Sequence, residues 1–157
     1  MRKIISILVL FFLIPKFALA NTYSADPQTF VEELVNDAIQ KLSDKSASKE
    51  DKAIFVEKIA LENVDINALG LYTLGDFRKS TDNNALSEYQ KTFEKYFLKS
   101  LTSRLTDYSN NKFEILSAEK KSANYTIVKS RIVKSDKQPE IKIDWRIYTK
   151  NPDKPLI

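Results

Sequence analysis

LSEYQKTFEKYFLKSLTSRLTDY, residues 86–108, is the stretch whose reading decides the fold. Leu86, Tyr89, Phe93, Tyr96, Phe97, Leu101, Leu105 and Tyr108 recur every three or four residues. That spacing draws one apolar stripe along a helix of about six turns. Lys91, Glu94, Lys95, Lys99 and Arg104 fall on the other faces, and no Pro or Gly interrupts the run. The stripe is aromatic at its start and aliphatic at its end, so it needs a broad apolar surface opposite it. Two readings follow from the pattern. The stripe is the core face of a helix packed on a sheet, or it also walls a cavity for an apolar ligand.

Upstream, the chain is helical. Asp26-Pro27 supplies an N-cap and a first-turn proline. Phe30, Val31, Leu34, Val35, Ala38, Ile39 and Leu42 continue as a stripe. Ser48 with Asp51 three residues on has the form of a capping box, opening a helix over 49–61 that carries Ile54, Phe55 and Ile59. Asn63-Val64-Asp65 breaks it. Residues 66–79, INALGLYTLGDFRK, place Ile66, Leu69, Thr73, Leu74 and Phe77 on one further helical face. Gly70 and Gly75 sit inside that pattern at a cost of about 1 kcal/mol each against Ala, so a close approach or a bend is expected there.

Downstream, the period changes from 3.6 to 2. Ser109-Asn110-Asn111 reads as a turn, and Phe113 and Ile115 open a strand. In residues 125–133, Thr126, Val128, Ser130 and Ile132 share an uncharged face, with Lys129 and Arg131 on the other. Ser135 to Pro139 reads as a hairpin connection. In residues 141–148, Ile141, Ile143, Trp145 and Ile147 alternate with Lys142, Asp144, Arg146 and Tyr148. Leu156-Ile157 has the look of another strand opening. Helices first and an antiparallel meander after them predict an α+β domain, its helices on one face of a curved antiparallel sheet. The second long apolar face is that of 141–147. Phe93, Phe97 and Leu101 are therefore expected near Ile143 and Trp145.

The first twenty residues stand outside this domain. Arg2 and Lys3 precede an apolar run from Ile4 to Ile14, and Ala18-Leu19-Ala20 offers small residues at the −3 and −1 positions. This is the form of a secretory signal peptide cut after Ala20, leaving residues 21–157 as one domain. Arg2, Lys3 and Lys16 belong to that leader and no acid does. Of the 25 basic and 21 acidic residues in the chain, 22 and 21 remain beyond it, so the support for a nucleic-acid partner disappears. The chain has no Cys and no His, which removes disulfides, the commonest general base and the commonest transition-metal ligand. Two glycines in all cannot build a glycine-rich phosphate loop. The composition argues against an enzyme, a metal site and a cofactor. Asp76 and Asp144 are the carboxylates in suggestive places, and both read better as rim or surface charges.

Several of these features, in this order, resemble the MlaC family, also called the toluene-tolerance auxiliary family. They are Leu74-Gly75-Asp76-Phe77-Arg78, the polar break after it, and the helix carrying Tyr89, Phe93, Phe97, Leu101, Leu105 and Tyr108. Ile143-Asp144-Trp145-Arg146-Ile147 and the Asp26-Pro27 start complete the likeness. The resemblance implies a cone-shaped fold like that of nuclear transport factor 2. It also implies a periplasmic, non-enzymatic carrier of phospholipid between the outer and inner membranes of Gram-negative bacteria, maintaining outer-membrane lipid asymmetry. The partners it implies are an inner-membrane ABC transporter with its MCE-type component and an outer-membrane lipoprotein complex. Family members continue with a further strand and C-terminal helices, so on this reading the chain is C-terminally truncated and its sheet incomplete on that side.

On the carrier reading, the lipid-binding residues are Phe55, Ile59, Leu69 and Leu74 from the middle helices and Phe93, Phe97 and Leu101 from the long one. Val128, Ile143, Trp145 and Ile147 join them from the sheet. The opposite strand face, with Lys129, Arg131, Lys142 and Arg146, is expected to dock the membrane-bound components. The alternative to a carrier is a protein-interaction module, or a remnant that folds against a partner.

Overall fold

The computed structural model describes residues 23–105, 112–134, 139–151 and 153–157. The expected signal peptide, Tyr108, the turn at Ser109–Asn111 and most of the Ser135–Pro139 connection lie outside the described residues. Four helices come first: α1 (Pro27–Ser43), α2 (Lys49–Asn63), α3 (Ile66–Leu74) and α4 (Asn83–Leu105). Three strands follow: β1 (Phe113–Ser122), β2 (Tyr125–Ile132) and β3 (Ile141–Tyr148). They form an open antiparallel sheet in the order β1-β2-β3.

The helix starts are chemical. Asp26 Oδ1 accepts from the Thr29 amide at 2.9 Å and Pro27 enters the first turn of α1. Ser48 and Asp51 form a full capping box on α2, each side chain accepting from the other's backbone N–H. Asp65 Oδ1 caps α3 through the Ala68 amide at 2.9 Å. Asp82 Oδ1 accepts from Asn84 and Ala85 at the head of α4. Each of these acids satisfies amides that have no partner within the helix.

The glycines explain the third helix. The sequence pattern runs on to Lys79, but the α-helix ends at Leu74 and a short 3₁₀ turn, Gly75–Lys79, follows. Gly75 has φ +55° and ψ −129°, a conformation that a side chain disfavours, and it redirects the chain. Phe77 therefore leaves the expected apolar face and stands 76% exposed. Gly70 stays inside α3 because the Phe93 ring of α4 lies over it. A Cβ there would sit 3.0 Å from Phe93 Cδ1. The close approach is made by an aromatic ring.

The tightest core lies between α1 and the sheet. Phe30, Val31 and Leu34 pack with Val128 and Ile147, all buried. The alternation in β2 and β3 sends Thr126, Val128, Ser130, Ile143, Trp145 and Ile147 towards this side. Ser130 is buried, yet satisfied: its hydroxyl accepts from Trp145 Nε1 at 2.7 Å and donates to the Ile143 carbonyl at 3.3 Å. Phe113 meets the Trp145 ring edge-on. Leu156 bridges Tyr148 on the free edge of β3. Ile157 exchanges backbone hydrogen bonds with Asn63 and Asp65, tying that edge to the α2–α3 link.

Candidate functional site: an apolar cavity under the long helix

The helix α4 carries the longest apolar stripe in the chain, yet none of its residues is fully buried. It packs on α2 and α3, with Tyr89, Phe93 and Phe97 stacked along it at ring-centroid spacings of 5.9 and 6.1 Å. Tyr89 Oη and Thr73 Oγ1 share a hydrogen bond of 2.7 Å, which pins the start of this ladder to α3. Its further stretch, Phe97, Leu101 and Leu105, faces a cavity of about 410 Å³. The opposite walls are Val35, Ala38 and Ile39 of α1, Val56 and Ile59 of α2, and Phe113, Ile132, Ile143 and Trp145 of the sheet. Leu69 of α3 and Ile157 stand on it as well. Among the described residues Asp144 is the one charged residue on this wall. The volume falls within the range of about 300–1,000 Å³ usual for small-molecule sites.

The sequence-derived residues divide by location. Ile59, Leu69, Phe97, Leu101, Ile143 and Trp145 stand on the cavity wall. Phe93 is not on this wall; its ring lies over Gly70. Val128 and Ile147 lie beneath α1 in the core. Phe55 and Leu74 are half-buried outside the wall. Tyr96, drawn into the stripe by its spacing, is 69% exposed. The wall also has Val35, Ala38 and Ile39 of α1, which the sequence reading placed in a packing stripe, and Val56 and Ala60 of α2, which it did not single out. In α1 the signal was the stripe itself, whose first turns meet the sheet while its later turns meet the cavity.

The charged strand face is not one row of free cations. Lys129 Nζ is 2.6 Å from Glu119, which Lys121 also holds at 2.7 Å. Those two ammonium groups bring the Glu119 carboxyl from its ordinary 4.5 down to about 2. Arg131 forks onto Glu114 through Nε and Nη2 and reaches Glu140 through Nη1. Lys142 stands 3.9 Å from Glu140. Arg146 departs from the others. Its guanidinium lies 4.9 Å over the Tyr72 ring of α3, with Nη2 donating to Tyr72 Oη at 3.4 Å.

Arg146 thereby lines a second, larger hollow of about 790 Å³ beside the first. The two share Val64, Leu69, Asp144 and Ile157 as lining residues. The alternation along β3 had placed Asp144 facing away from any pocket. It borders both hollows, the second of which has Ala68, Leu69 and Tyr72 of α3 on its far side. Asp76 is on the surface, paired with Lys79 at 2.8 Å. Among the described residues no cluster of His, Cys, Asp or Glu is arranged to hold a metal ion.

Comparison with known proteins agrees with this geometry. A search of curated proteins gives no match. Among solved structures, the fold is similar to that of the phospholipid-binding protein from Ralstonia solanacearum, solved in complex with a phospholipid. The TM-score is 0.64 at 14% identity, over 83% of this chain and 74% of that one. The MlaC protein family model matches residues 32–157. That match spans α1 after its first turn, both hollows and the whole sheet, and the chain belongs to the MlaC family.

Proposed function

We propose that this protein binds a phospholipid by its acyl chains in the apolar cavity and carries it across an aqueous compartment. The observation that carries the reading is the cavity wall itself, apolar save for Asp144 and built from all four helices and the sheet. Each acyl CH₂ withdrawn from water gains about 0.8 kcal/mol, so a lipid crosses water only if its chains are covered. A protein cavity as apolar as the bilayer interior makes transfer between the two nearly neutral. Near-neutrality is what a carrier requires, since it must load at one membrane and unload at another. Membership of the MlaC family and the bound phospholipid in the similar Ralstonia structure support the ligand class.

On this reading the protein is exported to the periplasm, with cleavage after Ala20, and does no covalent chemistry. It exchanges lipid with an inner-membrane ABC transporter carrying an MCE-type component and with an outer-membrane lipoprotein complex. Export is checked by N-terminal sequencing of the secreted form, which should begin at Asn21; a form still beginning at Met1 contradicts it. Carriage is checked with two vesicle populations, one holding a fluorescent phospholipid, kept apart by a membrane that passes protein only. The purified mature protein should move label to the acceptor vesicles in proportion to its concentration. Label that stays with the donor would leave binding without carriage.

A further inference from the structure

Among the described residues, Trp145 carries the one side-chain N–H on the wall of the apolar cavity. That N–H is taken up behind the wall, by Ser130 Oγ at 2.7 Å. An indole nitrogen only donates, so the serine hydroxyl accepts here and gives its own proton to the Ile143 carbonyl at 3.3 Å. Ser130 is 1% exposed and does not itself line the cavity. The register explains the contact. Ser130 is paired with Ile143 and Val128 with Trp145 across the β2–β3 ladder, so hydroxyl and indole are diagonal neighbours on one sheet face. Phe113 meets the same indole edge-on, with ring centroids 6.4 Å apart. A hydroxyl is a costly choice in this setting. Val128 and Ile147 beside it are fully buried aliphatics, and a buried hydroxyl without partners is destabilising.

We propose that Ser130 is a positioning residue for lipid binding: it fixes Trp145 so that the indole offers its apolar ring, and not its N–H, to an acyl chain. The inference rests on the carrier reading and deepens it by naming the residue that keeps an open donor off the wall. Hydrocarbon accepts no hydrogen bond. A donor left open on the wall would be met by water in the lipid-free protein and would lose that water when a chain entered. The cost would then fall on binding and not on folding. With the N–H satisfied from behind, a chain gains the large apolar surface of an indole without that cost. Removing the hydroxyl alone should therefore weaken lipid binding about tenfold. Where the N–H is removed as well, the hydroxyl should no longer matter to binding, because no donor is left unmet.

The test is a double-mutant cycle read on lipid affinity. The mature protein, Ser130→Ala, Trp145→Phe and the double variant are each loaded from phosphatidylcholine vesicles over a range of concentrations, and bound lipid is quantified by mass spectrometry. Ser130→Ala should weaken binding about tenfold beside Trp145, and less than about twofold in the Trp145→Phe background. An equal loss in both backgrounds would make Ser130 a packing residue only, and no loss in either would leave it without a role; each result overturns the proposal. Trp145 is the only tryptophan in the chain, so two measurements on the unchanged sequence report on it alone. Phosphatidylcholine with brominated chains should quench most of its emission, and the unbrominated lipid should not. Its indole proton should exchange slowly with water in the lipid-free and the loaded protein alike, and faster in lipid-free Ser130→Ala. Lipid that binds without quenching, or an indole proton open to water in the lipid-free wild type, would overturn the proposal even if Ser130→Ala failed to fold. A wild type that takes up no phosphatidylcholine would refute the carrier reading and this proposal with it, an outcome distinct from binding without coupling.

Discussion

At the scale of single residues, Gly75 and Glu119 show how differently local chemistry is exposed to a reader of sequence. Gly75 was visible as an anomaly in a helical pattern, and its φ of +55° shows why it is tolerated. Space does not limit it, since nothing lies within 4 Å of where a Cβ would stand. Gly75→Ala should therefore cost about 1–3 kcal/mol through backbone strain alone, measurable in denaturant unfolding. An unchanged midpoint would mean that the chain path after α3 is not held. The pairing of Glu119 with Lys121 and Lys129 was not legible, because it depends on the β1–β2 register and on the unpaired residue between Ile115 and Ser117. The folded carboxyl sits near 2, below its ordinary 4.5, so its contribution to stability is complete above 4.5 and is lost as pH falls towards 2. Both partners are partly exposed, so the effect is small. Glu119→Gln should lower the neutral plateau by that small amount and meet the wild-type curve as pH falls towards 2, which flattens the acid limb. A variant as acid-sensitive as wild type would contradict that pairing.

At the scale of elements, the starts and types of the helices and strands were written in caps and periods. Asp26, Ser48, Asp65 and Asp82 all act as helix caps where polar breaks occur in the sequence. Periodicity says that a face is apolar, but not what covers it. The stripes of α1 and α4 read alike, yet Phe30 and Val31 are closed into the core while Phe97 and Leu101 face a cavity. For the same reason Val128 and Ile147 were expected among lining residues and proved to be core. The distinction predicts opposite phenotypes. Ile147→Ala should destabilise by about 2–5 kcal/mol, as buried large-to-small changes do, and should reduce lipid binding only as the fold is lost. Phe97→Ala removes a half-buried ring from a wall that already borders empty space, so it should cost clearly less stability while weakening lipid retention. Thermal unfolding and lipid content measured on the same samples separate the two. Equal destabilisation by both changes would mean that α4 is a core helix.

At the scale of the whole molecule, the α+β arrangement followed from the switch of period after α4, and the open three-stranded sheet bears it out. What could not be read was which residues link α3 to β3. Arg146 stacks over Tyr72 across 74 residues of sequence, and Ile157 ties to Asn63 and Asp65 at the α2–α3 link. The face of β3 that alternation marks as outward, with Asp144 and Arg146, thus borders a hollow. The account stands on the apolar cavity holding acyl chains. The most direct measurement is native mass spectrometry of the mature protein after exposure to phospholipid vesicles, beside a Leu101→Trp variant that fills the cavity. The account predicts a one-to-one phospholipid adduct on the wild type and a lipid-free variant with wild-type helical circular dichroism. A wild type that remains bare, or a filled cavity that still carries lipid, would contradict it.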